Sequence, residues 1–217
     1  MNRETYFTPQ TVQQKSRVML DEFAAFRARH ADIVFRLERA ALLVLDMQEY
    51  FLHKESHAFI PSAPAILPNI QMLLSDFYAQ GRPVIFTRHG NTDRDAGMMS
   101  RWWRDVLRTD SPDSAVSPLL DASRGIVVSK TQYDAFHNTP LEETLRSRNV
   151  EQVVVTGVMT NLCCETTARS AFVRGFEVFF CVDGTAAFTE MVHRSALLNL
   201  AHGFAVLVSC EEIHSET

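Results

Sequence analysis

Lysine is scarce in this chain. Of 21 basic residues only Lys15, Lys54 and Lys130 are lysines, the other eighteen being arginines. A lysine kept at the end of a strand therefore stands out. Basic runs are absent too, and the formal net charge is −5, which excludes the usual nucleic-acid-binding composition. No apolar stretch approaches the ~20 residues a membrane-crossing helix needs. The first residues, Met1-Asn2-Arg3-Glu4-Thr5, lack the apolar core of a signal peptide. The four cysteines (Cys163, Cys164, Cys181, Cys210) fall in the last third without metal-ligand spacing, so neither a zinc module nor a disulfide framework is expected. Reduced thiols in a cytoplasmic protein are expected instead. No internal repeat or low-complexity linker interrupts the chain.

What is present is a β-branched and apolar alternation with helical stripes. The 46% hydrophobic content supports one sizeable core. Residues 9–30 read as an N-terminal helix leaning on the domain or on a partner, within an extension spanning 1–38; the main domain then covers 39–217. Leu42-Leu43-Val44-Leu45 is a continuous apolar run, the mark of a strand covered on both faces. Residues 64–81 form a helix with Ile66, Ile70, Leu73, Leu74 and Phe77 as its stripe. Further strands are predicted at 83–87, 126–128, 153–156, 178–182 and 204–208, the fifth ending at Asp183-Gly184. Helices are predicted at 98–107, where Trp102 and Trp103 cannot share one face, from 139, from 162 and over 189–202. Strands alternating with helices predict a parallel sheet with helices on both faces.

Chemistry concentrates where strands end. Residues 153–156 form a buried strand, residues 157–161 a tight turn, and a helical pattern starts at Leu162. Cys163 thus stands at a strand-to-helix turn, where free N–H groups and the helix dipole favour a thiolate. Asp46 follows the first strand and Lys130 the third. In an open parallel sheet, the carboxyl ends of the strands share one rim and one ligand crevice. A carboxylate there can take the thiol proton and return it to a leaving group. An ammonium beside both keeps them ionised and lowers the sulfur's pKa, and N–H groups of the turn can hold an oxyanion. No histidine, His89 and His137 included, offers a rival base in a clear context.

Three segments carry a family resemblance: Leu45-Asp46-Met47-Gln48-Glu49-Tyr50-Phe51, Lys130-Thr131-Gln132-Tyr133-Asp134-Ala135-Phe136, and Gly157-Val158-Met159-Thr160-Asn161-Leu162-Cys163-Cys164-Glu165. From about residue 40 to 208 the chain resembles the isochorismatase-like cysteine hydrolases. The resemblance implies a single-domain three-layer αβα fold with a six-stranded, mostly parallel, Rossmann-like sheet. It implies a catalytic triad of Asp46, Lys130 and Cys163, a cis peptide between Val158 and Met159, and an oxyanion hole from the Met159 and Cys163 N–H groups. It also implies a homodimer or homotetramer.

Two reactions stay open within that family. The segment from Tyr133 to Glu142 and the residues from Ala40 to Gln48 resemble isochorismatase, which cleaves a vinyl ether and needs no thiol. The retained Cys163 resembles the amidases and points to covalent attack on an amide or carbamoyl C–N bond. A third, non-enzymatic alternative is a binding protein that kept the fold. The expected pocket residues are Gln48, Phe51, Tyr133, Phe136 and one tryptophan, assigned to Trp102. Nicotinamidases of the superfamily carry Asp-x-His after the second strand. Here that segment is Thr87-Arg88-His89-Gly90-Asn91, so no catalytic metal is expected and nicotinamide is not the expected substrate. No cofactor is expected. The expected partner is a small-molecule substrate, with neither nucleic acid nor membrane.

Overall fold

The computed structural model describes residues 3–217. Two helices, α1 (Val12–Glu22) and α2 (Ala24–Ala28), precede strand β1 (Ala40–Leu45). The chain continues through α3 (Glu49–Leu52), α4 (Ala63–Ala79), β2 (Val84–His89) and α5 (Met99–Trp102). Next come β3 (Ile126–Lys130), α6 (Leu141–Arg146), β4 (Gln152–Val158) and α7 (Glu165–Val173). Strand β5 (Glu177–Ala186), α8 (Glu190–Gly203), β6 (Val206–Val208) and α9 (Cys210–Ser215) complete the order.

Among the described residues the strands form one sheet in the order β3-β2-β1-β4-β5-β6. Every neighbouring pair is parallel, so the sheet is wholly parallel where the resemblance implied mostly parallel. Strands β1 and β4 are buried throughout, which is why their sequences are unbroken apolar and β-branched runs rather than alternating ones. The strand order reverses direction between β1 and β4, and a crevice opens at such a switch point beyond the carboxyl ends. Helix α4 buries Ile66, Ile70, Leu73, Leu74 and Phe77 and packs against β1 and β5, while α7 packs against β5 and α8. No helix among the described residues is long and apolar enough to cross a membrane.

The N-terminal segment is stitched to the same core. The backbone N–H groups of Tyr6 and Phe7 donate to Ser62 Oγ at 3.0 and 3.1 Å. The Ala187 N–H donates to the Tyr6 hydroxyl at 2.9 Å, and Phe7 and Met19 are fully buried.

Three local expectations are corrected. The helix expected over 98–107 stops at Trp102, because the following chain pairs with Asn91: the Asn91 N–H reaches the Leu107 carbonyl at 2.7 Å, and the Thr109 N–H reaches the Asn91 carbonyl at 3.1 Å. Asp183 and Gly184 lie inside β5 rather than at its end. There Asp183 Oδ1 accepts from the Cys210 N–H at 2.8 Å, at the start of α9. Finally, β4 runs on through Gly157 to Val158, and the chain makes a wide π-type turn over Thr160–Cys164 before the regular helix begins at Glu165. Gly157 permits this. Its φ is +108°, and a Cβ there would stand 2.1 Å from the Leu45 carbonyl oxygen; only glycine lets the two backbones approach so closely.

Candidate active site

Three strand ends converge at the rim. Asp46 follows β1 with φ of +51°, a left-handed conformation uncommon for a residue with a side chain. It is held there by Thr87 of β2. The Asp46 N–H donates to Thr87 Oγ1 at 3.0 Å, and the Thr87 hydroxyl donates to Asp46 Oδ1 at 2.6 Å. Lys130 ends β3. Its ammonium lies 2.7 Å from Asp46 Oδ2, donates to Cys163 Sγ at 3.3 Å and to the Gln132 carbonyl at 2.9 Å. The side chains of Asp46 and Lys130 are both fully buried. Cys163 sits in the wide turn after β4, and the Val158–Met159 peptide bond preceding that turn is cis.

The electrostatics fix where the protons rest. Burial pushes the Asp46 carboxyl up, but the Lys130 ammonium, helped by His89 and the Cys163 thiol, outweighs it and holds the group below its ordinary value. Burial works against the Lys130 charge, yet Asp46 and Cys163 hold its pKa above the ordinary lysine value. The Cys163 thiol is pushed up to about 12, first by burial and then by the Asp46 carboxylate, with Lys130 opposing. The resting arrangement is therefore carboxylate, ammonium and neutral thiol. This corrects the expectation that the ammonium and the turn lower the sulfur's pKa: Lys130 acts in that direction, but burial and the carboxylate prevail.

The sulfur opens onto a cavity of ≈ 390 Å³, within the size range of small-molecule sites. Phe51 and Tyr133 line it, as do Met159 and Leu162 beside Cys163. Trp103, not Trp102, is the tryptophan in the wall. Its indole N–H donates to the Tyr133 hydroxyl at 2.7 Å, while Trp102, the last residue of α5, is 74% exposed; the backbone turns extended at Trp103 and sends the two side chains to different sides. Gln48 does not line the cavity. It is fully buried and grips the backbone of His89 from both sides: Nε2 donates to the His89 carbonyl at 2.9 Å, and Oε1 accepts from the His89 N–H at 2.9 Å. Phe136 also stays out of the cavity, in the core, stacked on Phe176 at 6.0 Å between ring centres and covered by the Arg174 guanidinium.

Among the site residues missed in the sequence, two lie beside the triad. Thr87 orients the acid, and His89 borders the cavity with only 6% of its surface exposed. Both belong to β2, whose expected end at Thr87 left His89 in a loop. A polar residue closing an apolar strand is the signal that picked out Asp46 and Lys130, and it applies to His89 once β2 is extended by two residues. Among the described residues no cluster of three or more His, Cys, Asp or Glu stands ready to hold a metal ion.

Comparison with known proteins agrees with this architecture. A family model described as the isochorismatase domain matches residues 40–212. Nicotinamidase 3 of Arabidopsis thaliana is 42% identical over 179 residues, 80% of this chain and 86% of that protein. Enterobactin synthase component B of Escherichia coli (strain K12) is 31% identical over 185 residues, covering 84% of this chain and 65% of the relative. Among solved structures, a cysteine hydrolase from Pseudomonas syringae pv. phaseolicola 1448A superposes with a TM-score of 0.80 at 30% identity, over 84% of this chain and 93% of its own. With a family match running from the first strand into the last helix, this chain belongs to the isochorismatase-like hydrolases and is itself a hydrolase.

Proposed function

We propose that the protein is a metal-independent cysteine amidohydrolase acting on a small amide or carbamoyl C–N bond. The observation that carries this reading is the Lys130 ammonium bridging Asp46 Oδ2 and Cys163 Sγ, 2.7 and 3.3 Å away, at the wall of a cavity. Asp46 takes the thiol proton as sulfur bonds to the amide carbon. The carbonyl oxygen becomes an oxyanion, received by the N–H groups of Met159 and Cys163. As the oxyanion collapses, the C–N bond breaks and Asp46 passes its proton to the departing nitrogen. Water then gives a proton to Asp46 and its oxygen to the thioester carbon. The C–S bond breaks, the sulfur regains its proton, and a carboxylic acid leaves. Lys130 balances Asp46 throughout.

A second reading is vinyl-ether hydrolysis of isochorismate, with Asp46 as the acid and Cys163 a bystander; the description of the matching family model favours it. That chemistry must begin with a protonated Asp46. The carboxyl is instead held below its ordinary pKa by its buried partner, which suits a base that starts ionised, so the amide reading is preferred. The cavity's aromatic wall and the 42% identical relative named a nicotinamidase bring planar carboxamides into the substrate class, and with them nicotinamide, which the missing Asp-x-His after β2 had set aside. The same reading takes the four unpaired cysteines as those of a cytoplasmic protein, and takes the exposed Met98 and Trp102 as surface a second copy covers in a homodimer or homotetramer.

The test is Cys163→Ala on a panel of small amides and on isochorismate, with mass spectrometry of the wild type for an acyl adduct. Loss of amide hydrolysis together with an adduct on Cys163 supports the first reading. Pyruvate release from isochorismate that survives Cys163→Ala but not Asp46→Asn establishes the second and removes the first.

A further inference from the structure

The turn that carries Cys163 is tied to the body of the protein by a histidine to which the catalytic steps give no task. Within the turn, the Leu162 and Cys164 N–H groups both donate to the Met159 carbonyl, at 3.0 and 3.2 Å. These bonds shape the turn without anchoring it. Among the described residues its side chains reach out at three points. Cys163 Sγ accepts from Lys130 at 3.3 Å, Cys164 Sγ stands 4.0 Å from the Thr156 carbonyl, and Thr160 Oγ1 shares a 2.8 Å hydrogen bond with His193 Nδ1. Sulfur is a weak partner, and only the last bond reaches a helix, α8. Thr160 and His193 are both fully buried, where a hydrogen bond is at its strongest. His193 is itself held from behind. Its N–H donates to the Thr189 carbonyl at 3.1 Å. Its ring centre lies 5.4 Å from those of both Tyr6 and Phe7, residues of the N-terminal extension and outside the span that the family model matches. Burial, then the Arg194 charge, keeps the ring neutral at neutral pH, with one N–H and one lone pair to offer the hydroxyl.

Thr160 follows Met159 directly and precedes Cys163 by three residues. The amidohydrolase reading gives the oxyanion to the N–H groups of those two residues, so a shift of Thr160 moves both donors and the sulfur together. We propose that His193 is a positioning residue for the nucleophile turn: by holding Thr160 it fixes Cys163 Sγ and the Met159 and Cys163 N–H groups against the substrate carbonyl, and through Tyr6 and Phe7 it makes the N-terminal extension part of the catalytic scaffold. The proposal rests on the amidohydrolase reading. His193 does not line the cavity and moves no proton. Its effect falls on the step from bound amide to tetrahedral adduct, where small misplacements are costly, so its loss lowers kcat and leaves KM nearly unchanged.

The experiment compares wild type, His193→Leu, His193→Asn, Thr160→Val and the double variant His193→Leu/Thr160→Val on nicotinamide and the amide panel, reading kcat and KM for each, with folding checked by melting temperature. His193→Leu and Thr160→Val break the same bond from opposite ends. Each is expected to lower kcat about tenfold, the scale of one hydrogen bond, with KM changed less than about twofold. The double variant is expected to lose no more than the worse single one, because the bond can be broken only once. His193→Asn sets an amide where Nδ1 stands and is expected to keep most of kcat, even with a melting temperature as low as that of His193→Leu. Thr160→Val changes little bulk and keeps the test readable if His193→Leu does not fold. Unchanged kcat in both single variants, additive losses in the double one, or a loss in His193→Asn as large as in His193→Leu overturns the role of His193, while amide turnover by the wild type leaves the amidohydrolase reading standing. A wild type inert toward every amide, with no acyl adduct on Cys163, overturns that reading and this role together.

Discussion

Buried histidines set the acid limit of this fold, and His193 allows the effect to be isolated. Its ring is fully buried, lies against Tyr6 and Phe7, and shares a 2.8 Å hydrogen bond between Nδ1 and Thr160 Oγ1 in the turn that carries Cys163. Burial, then the charge of Arg194, pulls its pKa down to about 3 from the ordinary 6.5. The unfolded chain therefore takes up this proton first as pH falls. The stability held by the neutral ring is complete above about pH 6.5 and is lost progressively from there toward pH 3. At pH 5 the difference in proton binding amounts to about 2 kcal/mol, following 1.36 kcal/mol per pKa unit. His89, pulled down to about 4, contributes about as much over the same interval. Urea unfolding at pH 7.5 and pH 5 should show wild type losing about 4 kcal/mol through these two rings. His193→Asn, which can keep the bond to Thr160, should lose about half of that. Asp183 works in the opposite direction, because burial raises its pKa, but it does so in both proteins and cancels in the comparison. Parallel pH curves for the two proteins would refute the assignment of this acid sensitivity to His193.

Asp46→Asn removes the carboxylate that, after burial, does most to keep the Cys163 proton in place. Turnover should fall by at least about a hundredfold, the usual scale of a lost acid–base group, while alkylation of Cys163 by iodoacetamide at pH 7.5 should become faster; mass mapping of the labelled cysteine checks this. Gly157→Ala forces a Cβ to within 2.1 Å of the Leu45 carbonyl oxygen at a φ of +108°. A loss of more than about 3 kcal/mol in urea unfolding is expected, in line with strain at a special backbone position.

Much of this architecture was readable because a parallel sheet writes itself plainly. Leu42 to Leu45 and Val153 to Val155 are buried on both faces, so their apolar runs are continuous and their ends conspicuous. Asp46, Lys130 and Cys163 were visible because each is a reactive group at or just beyond the end of an apolar strand, although β3 before Lys130 is a partly exposed edge strand. What stayed hidden depends on contacts between distant segments. Nothing local says that Gln48 will reach across to grip the His89 peptide, or that Phe136 will stack on Phe176 rather than face the cavity. The choice between Trp102 and Trp103 turned on where α5 ends, and the backbone pairing of Asn91 with Leu107 and Thr109 decides that. The resting proton on Cys163 was misjudged because a nearby cation is visible in sequence, whereas the depth of burial is not.

That proton position follows from the charge the interior can hold. Two fully buried side chains, Asp46 and Lys130, already form a neutral pair. Ionising Cys163 as well would leave one uncompensated negative charge in a region where an unpaired ion costs several kcal/mol. The site therefore rests with one anion, one cation and a thiol, and in the proposed mechanism it makes its nucleophile only when a substrate carbonyl is there to receive the charge. The negative charge need not linger on sulfur, since it passes to an oxygen as the S–C bond forms. A nucleophile generated on demand is also guarded: with a thiol pushed up to about 12, adventitious alkylation and oxidation, which act on the thiolate, find little to attack. The same balance explains why the lysine is indispensable to the geometry. Without its ammonium the buried carboxylate would bind a proton, and an acid that begins protonated cannot draw the proton from sulfur.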